Sequence, residues 1–209
     1  MKSQLQAKLM TTQGTDDLYF EQLNRAKEVC DQLDYGSLPS YSTATIKIKA
    51  PVFVFDILRG STWGDGLYDL KVKTKKISPL NPREGFYIPN KDRPLRSEDP
   101  EDVPTKSEYE TFLQNYIGML QDVMYSLRVA QENKYSSVIQ AAGLPPIVMS
   151  TFKMRLSIFD WFTFALKFTQ NHICWEVAML AEQVDRLMDV TFPKSWQWFG
   201  NNIEYGTRS

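Results

Sequence analysis

Residues that could bind an anion lie close together near the middle of the chain. The segment 60–66, GSTWGDG, is rich in glycine, and its backbone N–H groups could surround a phosphate. A plain turn is the alternative for the same residues. Four lysines follow that could contact an anionic ligand or simply form the solvated face of a strand: Lys71, Lys73, Lys75 and Lys76. This region therefore predicts either an anion site or an ordinary turn and strand.

Acid–base and metal chemistry have fewer candidates. Asp65 and Asp69 are carboxylates near the glycine-rich segment, but no second acid stands at a spacing typical of a catalytic pair. His172, beside Asn171, is the single histidine, and it could contact a ligand or cap a helix. One histidine excludes a His-rich zinc or iron site, and the P-loop, GxGxxG, CxxC and HExxH motifs are absent. The sequence assigns no catalytic residue and predicts no metal.

Composition narrows the class of protein. A length of 209 residues fits one domain, which we expect to span residues 1–209. Lysine and arginine total 24 against 25 aspartates and glutamates, and this balance argues against a dedicated surface for nucleic acid or an anionic membrane. Two cysteines suit a reducing compartment. Because no apolar run reaches the length of a signal peptide core or a membrane span, we expect a soluble, cytoplasmic protein.

Hydrophobic periodicity predicts the elements that position the candidate residues, beginning with a helix and a strand. Thr15 can cap an N-terminal helix, which we place within residues 1–34. Residues 41–50 then alternate, with Ala44 and Ile46 on one face and lysines on the other. This alternation predicts a half-buried strand.

The glycine-rich segment is expected to lie between a short helix and a second strand. Residues 52–59 have the aromatic and β-branched content of a strand, but they lie between a proline and a glycine, which favours a short buried helix. Gly64 and Gly66 can adopt positive φ in the loop that follows. Residues 70–77 alternate as a strand, and the proline-rich residues 79–104 predict a long surface loop.

Residues 105–199 form a mainly helical half. Ser107 and Glu110 match a capping box, followed by an amphipathic helix of about five turns. The remaining predicted elements are a shorter helix around residues 135–142, a strand over residues 147–156 and helices over residues 158–169 and 173–192.

The C-terminal third resembles the flavin-dependent thymidylate synthases of the ThyX family. That family has Leu-Pro, a strand, a helix with "NARSLMNFL", a long helix opened by "SHAQWEI" and a closing "CPWTFEAF". The matching positions here are Leu144, Pro145, Phe152, Phe164, His172, Trp175, Glu176 and residues 192–199. The resemblance covers roughly residues 35–90 and 133–199 in the family's order. Residues 45–72 fall where the family carries its Arg-His-Arg sequence.

The resemblance implies a fold, cofactors and partners. The fold would be α+β, with a ThyX-like mixed sheet and long helices. The substrate would be a pyrimidine deoxynucleotide, and FAD and methylenetetrahydrofolate would be the cofactors. The chain would form a homo-oligomer, a tetramer in that family, with flavin and nucleotide sites between subunits.

Several residues that the resemblance places in the site differ from the family. The Arg-His-Arg positions fall on Arg59, Gly60 and Ser61, while Phe159 and Phe168 replace two arginines, one of which holds the nucleotide. A phenylalanine cannot reproduce bidentate arginine–phosphate pairing, so other cations would have to compensate. The candidate nucleotide- or cofactor-binding residues are Arg59, Ser61, Thr62, Lys71, Arg155, Lys167 and His172.

Two functions remain open on this basis. The first is a divergent ThyX-like enzyme that transfers a one-carbon unit to a pyrimidine deoxynucleotide, by C5 methylation of deoxyuridylate or an altered-substrate version. The second is a catalytically silent protein of the same fold with a structural, regulatory or partner-subunit role. The surviving core pattern, with Arg59, Lys71 and His172, favours the first, which is the function we expect. The apolar replacements support the second, because apolar side chains fill a vacated site more stably than unpaired charges.

Overall fold

The computed structural model describes residues 4–29, 42–72, 85–91, 103–135, 145–170 and 174–203. In these residues four strands and six α-helices form an α+β fold, as expected. The strands are β1 (Gln6–Gln13), β2 (Thr43–Pro51), β3 (Leu67–Val72) and β4 (Met149–Ser157). The helices are α1 (Asp16–Val29), α2 (Val52–Arg59), α3 (Lys106–Glu132), α4 (Ile158–Gln170), α5 (Trp175–Thr191) and α6 (Pro193–Asn202). A 3₁₀ turn, Gly64–Gly66, precedes β3.

The strands form one sheet in the order β1-β2-β4-β3. All three pairings among the described strands are antiparallel, whereas the resemblance implied a mixed sheet. The pairing of β2 with β4 runs without a break from Thr43 opposite Ser157 to Pro51 opposite Met149. The sheet therefore joins the N-terminal segment, the segment after α2 and the C-terminal half.

The two faces of the sheet differ sharply in polarity. On one face Ile46, Ile48, Phe152 and Met154 are completely buried in the core beneath the helices. On the other face stand the alternate residues, which include exposed lysines such as Lys47. Because side chains alternate between faces along a strand, the predicted pattern of β2 and β4 is confirmed.

Aromatic side chains of α4 and α6 fill much of the core above the sheet. The indole of Trp161 is buried, and its Nε1 donates a hydrogen bond to the carbonyl of Ala44 at 3.0 Å. In α6, Ser195 Oγ donates to the carboxylate of Asp16 at 2.7 Å, and Trp198 Nε1 donates to Asn24 Oδ1 at 3.1 Å. These bonds join the last described helix to α1.

The N-terminal segment contains more than the predicted helix. Thr15 Oγ1 accepts from the N–H of Leu18 at the start of α1, as expected. The strand β1, however, precedes this helix and lies at the edge of the sheet. Its sequence was not recognised as a strand because its outward residues are polar and only Ala7 and Leu9 pack against the core.

Helix α3 begins two residues earlier than the predicted cap would require. Thr105 and Glu108 form the capping box, since Thr105 Oγ1 accepts from the N–H of Glu108 while the Glu108 carboxylate accepts from the N–H of Thr105. The prediction of Ser107 and Glu110 is therefore wrong. The sequence contains two overlapping patterns of this kind, and the helix begins at the first, directly after Pro104. It runs for 27 residues, longer than the five turns expected.

Residues 79–104 were expected to form a surface loop, but the described part, residues 85–91, is partly internal. Phe86 is completely buried and Tyr87 is 4% exposed. The N–H of Tyr87 donates to the carbonyl of Ile147, and Tyr116 of α3 donates its hydroxyl hydrogen to the carbonyl of Tyr87. This segment therefore connects α3 to the start of β4. The rest of the predicted loop, apart from residues 103–104, lies outside the described residues.

Candidate functional site

The glycine-rich segment forms a turn whose backbone donors are mostly used within the turn. Gly60 and Ser61 donate their N–H groups to carbonyls of α2, Gly64 donates to Ser61 at 3.0 Å, and Gly66 donates to Trp63 at 3.0 Å. The hydroxyl of Ser61 also donates to the Leu58 carbonyl. Because these donors already have acceptors, the geometry favours the plain turn over a backbone cradle for phosphate.

The glycines are required by close packing and not by positive φ, which was the expectation for Gly64 and Gly66. Among the described glycines only Gly14 has a positive φ. A Cβ on Gly66 would lie 2.7 Å from the carbonyl oxygen of Arg155, and a Cβ on Gly64 would meet the carbonyl of Arg59. Gly66 therefore lets the turn pack directly against the end of β4.

Trp63 anchors this turn to α4. The indole is 7% exposed and contacts the rings of Phe164 and Phe168, with ring centroids 5.6 and 5.4 Å apart. The Lys167 ammonium lies 5.1 Å from the centre of the Trp63 ring, within the range of a cation–π interaction. Lys167 is thereby placed beside the turn that follows Arg59, the exposed last residue of α2.

A second group of charges lies on the face of the sheet opposite the helices. The carboxylate of Asp69 forms two ion pairs. One of its oxygens lies 3.0 Å from Lys71 Nζ, and the other lies 2.7 Å from Lys153 Nζ. The hydrogen bond from Lys153, followed by that from Lys71, lowers the pKa of the Asp69 carboxyl. The side chain of Asp69 is partly exposed to solvent, which suits a polar surface more than a sequestered catalytic acid.

Asp69 reaches both lysines because β3 bulges at this point. Tyr68 pairs with Lys153 and Lys71 pairs with Thr151, so two residues of β3 lie opposite one residue of β4. Asp69 has φ of 58°, in the left-handed region that aspartate tolerates better than most residues. Bulges of this kind are common beside active sites because they redirect a side chain.

Arg155 extends the polar surface toward the other end of β4. Its Nη2 donates to Gln13 Oε1 at 2.8 Å, and its Nε donates to Thr43 Oγ1 at 3.3 Å. These acceptors lie on β1 and β2, so the guanidinium group crosses the open face of the sheet. Both acceptors are neutral, which leaves the positive charge of Arg155 without a paired carboxylate in this network.

The predicted site residues therefore fall into two groups within one chain. Arg59, Ser61, Thr62 and Lys167 surround the turn at Trp63, which packs on the helical side of the sheet. Lys71 and Arg155 lie on the open face. The close approach of Gly66 to the Arg155 carbonyl connects the groups, but among the described residues no hydrogen bond or ion pair joins their side chains. His172 lies outside the described residues, so its predicted role stays a prediction.

Sequence reasoning missed a buried acid beside the start of α5. Glu176 is 1% exposed and accepts hydrogen bonds from the Tyr87 hydroxyl at 3.0 Å and the Cys174 thiol at 3.4 Å. Burial, with a further contribution from the Glu176 charge, raises the pKa of Cys174 to about 11. Burial likewise raises the pKa of Tyr116 to about 12. The available signal was its spacing, because Glu176 lies four residues before Leu180 and eight before Val184, on the buried side of the helix.

Several positions that the resemblance places in the flavin and nucleotide sites carry apolar side chains. Phe159, which stands in place of a family arginine, is 7% exposed, and Phe168 packs against Trp63. Of the Arg-His-Arg positions, only Arg59 carries a charge.

No group of three or more histidine, cysteine, aspartate or glutamate side chains in the described ranges could hold a metal ion. No described helix is long and apolar enough to cross a membrane.

Comparison with known proteins gives a fold but no sequence relative. No protein-family description matches the chain, and no curated protein does. Among solved structures, the chain is similar to the UMP/dUMP methylase PolB from Streptomyces cacaoi bound with 5-Br UMP, with a TM-score of 0.74, 18% identity, and coverage of 96% of this chain and 95% of PolB. For PolB bound with 5-Br dUMP the TM-score is 0.73 and the identity 16%, with coverage of 96% of both chains. The chain therefore has the fold of PolB over nearly its whole length.

Proposed function

We propose that this protein binds a pyrimidine nucleotide and methylates its base, as a divergent enzyme of the ThyX type. The observation that carries the proposal is the fold, which is shared with a UMP/dUMP methylase along 96% of the chain. The resemblance of residues 144–199 to the ThyX family supports the same reaction class independently. At 18% identity the fold alone does not determine the substrate, so the residues of the site have to support it.

The charge distribution supports a ligand that carries a phosphate. Arg155 and Lys71 lie on the open face of the sheet, and Arg59 and Lys167 lie beside the neighbouring turn. Arginine and lysine side chains form charge-assisted hydrogen bonds with phosphate oxygens. In our proposal these cations replace the family arginines that became Phe159 and Phe168, and Lys71 or Arg155 contacts the phosphate of the nucleotide.

A specific observation favours the silent protein as a second candidate. Phe159 is buried and Phe168 packs in the aromatic cluster around Trp63, which is what the loss of a polar site would produce. A silent protein could retain nucleotide binding, so binding does not separate the two candidates. Turnover separates them, because only the enzyme changes the nucleotide.

The test of the proposal is a mass measurement on the nucleotide. Purified protein is incubated with UMP or dUMP, methylenetetrahydrofolate, FAD and a chemical reductant, and the nucleotide is then analysed. The proposal predicts that the base gains the mass of one CH2 unit, because a methyl group replaces one hydrogen, and that this gain is absent when protein is omitted. Bound but unmodified nucleotide under all these conditions would favour the silent candidate.

The cofactors FAD and methylenetetrahydrofolate remain predictions from the resemblance. Absorbance between 350 and 500 nm tests the first directly, since a bound flavin absorbs there and protein alone does not. Tetrameric assembly is also a prediction, and the molar mass of the protein in solution tests it. Either result is independent of the contacts proposed for Lys71 and Arg155.

A further inference from the structure

The open face of the sheet carries a concentration of positive charge that the whole-chain balance conceals. Six cationic side chains stand on this face in the described strands: Lys8, Lys47, Lys49, Lys71, Lys153 and Arg155. Asp69 is the only carboxylate on the same face of those strands. The chain as a whole has a net charge of -1, so the positive charge is segregated here.

Three of these lysines form a row that crosses three adjacent strands. Lys8 of β1 pairs with Lys47 of β2, and Lys47 pairs in turn with Lys153 of β4. Neighbouring strands are about 4.8 Å apart, so the row extends over about 10 Å. Lys49 lies two residues after Lys47 in β2, on the same face of the sheet. Its exposed side chain adds a fourth positive charge beside the row.

This arrangement carries an electrostatic cost. Like charges directly opposite on neighbouring strands destabilise a sheet, and a merely solvated face would be more stable with mixed signs. Lys153 is paired with Asp69, but Lys8, Lys47 and Lys49 have no ion-pair partner within the described part of the chain. An anion bound across the row would remove the repulsion that these three side chains experience.

We propose that the lysine row of Lys8, Lys47 and Lys153, together with the adjacent Lys49, binds a small ligand that carries several adjacent phosphate groups. Lysine ammonium groups attract phosphate as point charges, whereas bidentate pairing with a carboxylate is better suited to arginine. A row of about 10 Å matches several linked charges better than one monophosphate. This site goes beyond the proposed nucleotide site, which rests on Lys71, Arg155 and the turn at Trp63.

The test is calorimetric titration with inorganic triphosphate at low ionic strength. The wild-type protein binds triphosphate at least tenfold more tightly than inorganic monophosphate. The double variant Lys8→Gln/Lys47→Gln binds triphosphate at least tenfold more weakly than the wild type. The matched control is Lys106→Gln/Lys134→Gln, at the first residue of α3 and two residues beyond its last. It removes the same charge from exposed positions and retains wild-type affinity.

Thermal unfolding shows whether weaker binding by the Lys8→Gln/Lys47→Gln variant comes only from a loss of folded structure. Because the substitutions remove like-charge repulsion, the Lys8→Gln/Lys47→Gln variant unfolds at a temperature equal to or above that of the wild type. A nucleoside triphosphate and a single-stranded oligothymidylate series then distinguish a small ligand from nucleic acid. The nucleoside triphosphate binds like inorganic triphosphate, and affinity does not rise with oligonucleotide length.

Three results would overturn the proposal. The first is that triphosphate does not bind at millimolar concentration. The second is that the lysine-row variant and the control variant lose triphosphate affinity equally. The third is that affinity rises with oligonucleotide length while triphosphate fails to bind. Titration with dUMP keeps the two proposals separate. If dUMP fails to bind every protein but triphosphate still requires Lys8 and Lys47, only the nucleotide site is wrong.

Discussion

The carboxylate of Asp69 lies 2.7 Å from the ammonium of Lys153, across a bulge that places Asp69 in the left-handed region. The same carboxylate also pairs with Lys71. One residue of unusual backbone geometry therefore forms ion pairs with two cations of the open face. This relationship connects a local feature of β3 to the charge pattern that we propose for ligand binding.

Replacement of Asp69 should separate backbone strain from charge. Asp69→Asn and Asp69→Gly should have urea midpoints close to that of the wild type. Both residues tolerate positive φ, and exposed ion pairs contribute little to the free energy of unfolding. Asp69→Ala should unfold at a lower urea concentration than either, since alanine is disfavoured in this region. Equal midpoints for the alanine and asparagine variants would show that the bulge is not strained.

The pH dependence of the Asp69→Asn comparison has a definite sign. The pKa of Asp69 is lowered in the folded protein, so its ion pairs stabilise the fold above the unfolded value of about 3.9. That contribution is lost as the pH falls through the lower folded pKa. In acid, the wild type should therefore lose its small excess in the free energy of unfolding over Asp69→Asn, as measured by urea denaturation. An excess that grows as the pH falls would contradict the pairing.

Gly66→Ala should destabilise the protein because its Cβ would lie 2.7 Å from the Arg155 carbonyl and from Leu156 Cδ2. Overpacking of this kind costs about 1–3 kcal/mol in the free energy of unfolding. Gly118→Ala in α3 is the matched control, since its Cβ would meet nothing within 4 Å. It should stabilise the protein by about 0.5–1 kcal/mol. Equal effects in chemical denaturation would disprove the close approach.

Thr105→Ala should lower the free energy of unfolding by about 1 kcal/mol through loss of the helix cap. Ser107→Ala, two residues later, is the control and should have little effect, because its hydroxyl is not the cap of α3. Urea denaturation of both variants measures the difference. A larger loss of unfolding free energy for Ser107→Ala than for Thr105→Ala would show that Ser107 is the cap, as the sequence predicted.

Cys174 should react slowly with iodoacetamide at pH 8. Burial raises its pKa to about 11, so almost no thiolate is present in the folded protein. Mass spectrometry of the peptide that contains Cys174 should show faster alkylation in urea, where the thiol pKa returns to about 8.5. The stabilising contribution of this group is complete below that value and is lost as the pH rises through 11. Equal alkylation rates in the two states would contradict the burial of Cys174.

The elements that sequence predicted well are those with strong periodicity and burial. The alternation that includes Ala44 and Ile46 predicted β2, and helical periodicity over residues 173–192 predicted α5. Ala44 and Ile46, like Val177 and Leu180 of α5, are completely buried. Strand β1 was missed because an edge strand with one polar face has little apolar content to reveal it. Positions that match one pattern twice, as at Thr105 and Ser107, cannot be separated by the pattern itself.

The site was predicted less well because its geometry depends on contacts between distant segments. Sequence identified Arg59 and Lys167 as candidates, but the indole of Trp63 between the turn and α4 is a tertiary feature. The glycines of the turn were recognised, but not whether φ or close packing required them. The row of Lys8, Lys47 and Lys153 emerges only when the register of three strands is known.

The central claim, a pyrimidine nucleotide held by cations of the open face, is tested most directly by calorimetric titration with dUMP. We predict that dUMP binds, that deoxyuridine without a phosphate binds at least tenfold more weakly, and that Lys71→Ala/Arg155→Ala causes a similar loss. The double variant Lys106→Ala/Lys134→Ala should retain the wild-type affinity. Binding that is absent, or that is unchanged in Lys71→Ala/Arg155→Ala, would contradict the claim.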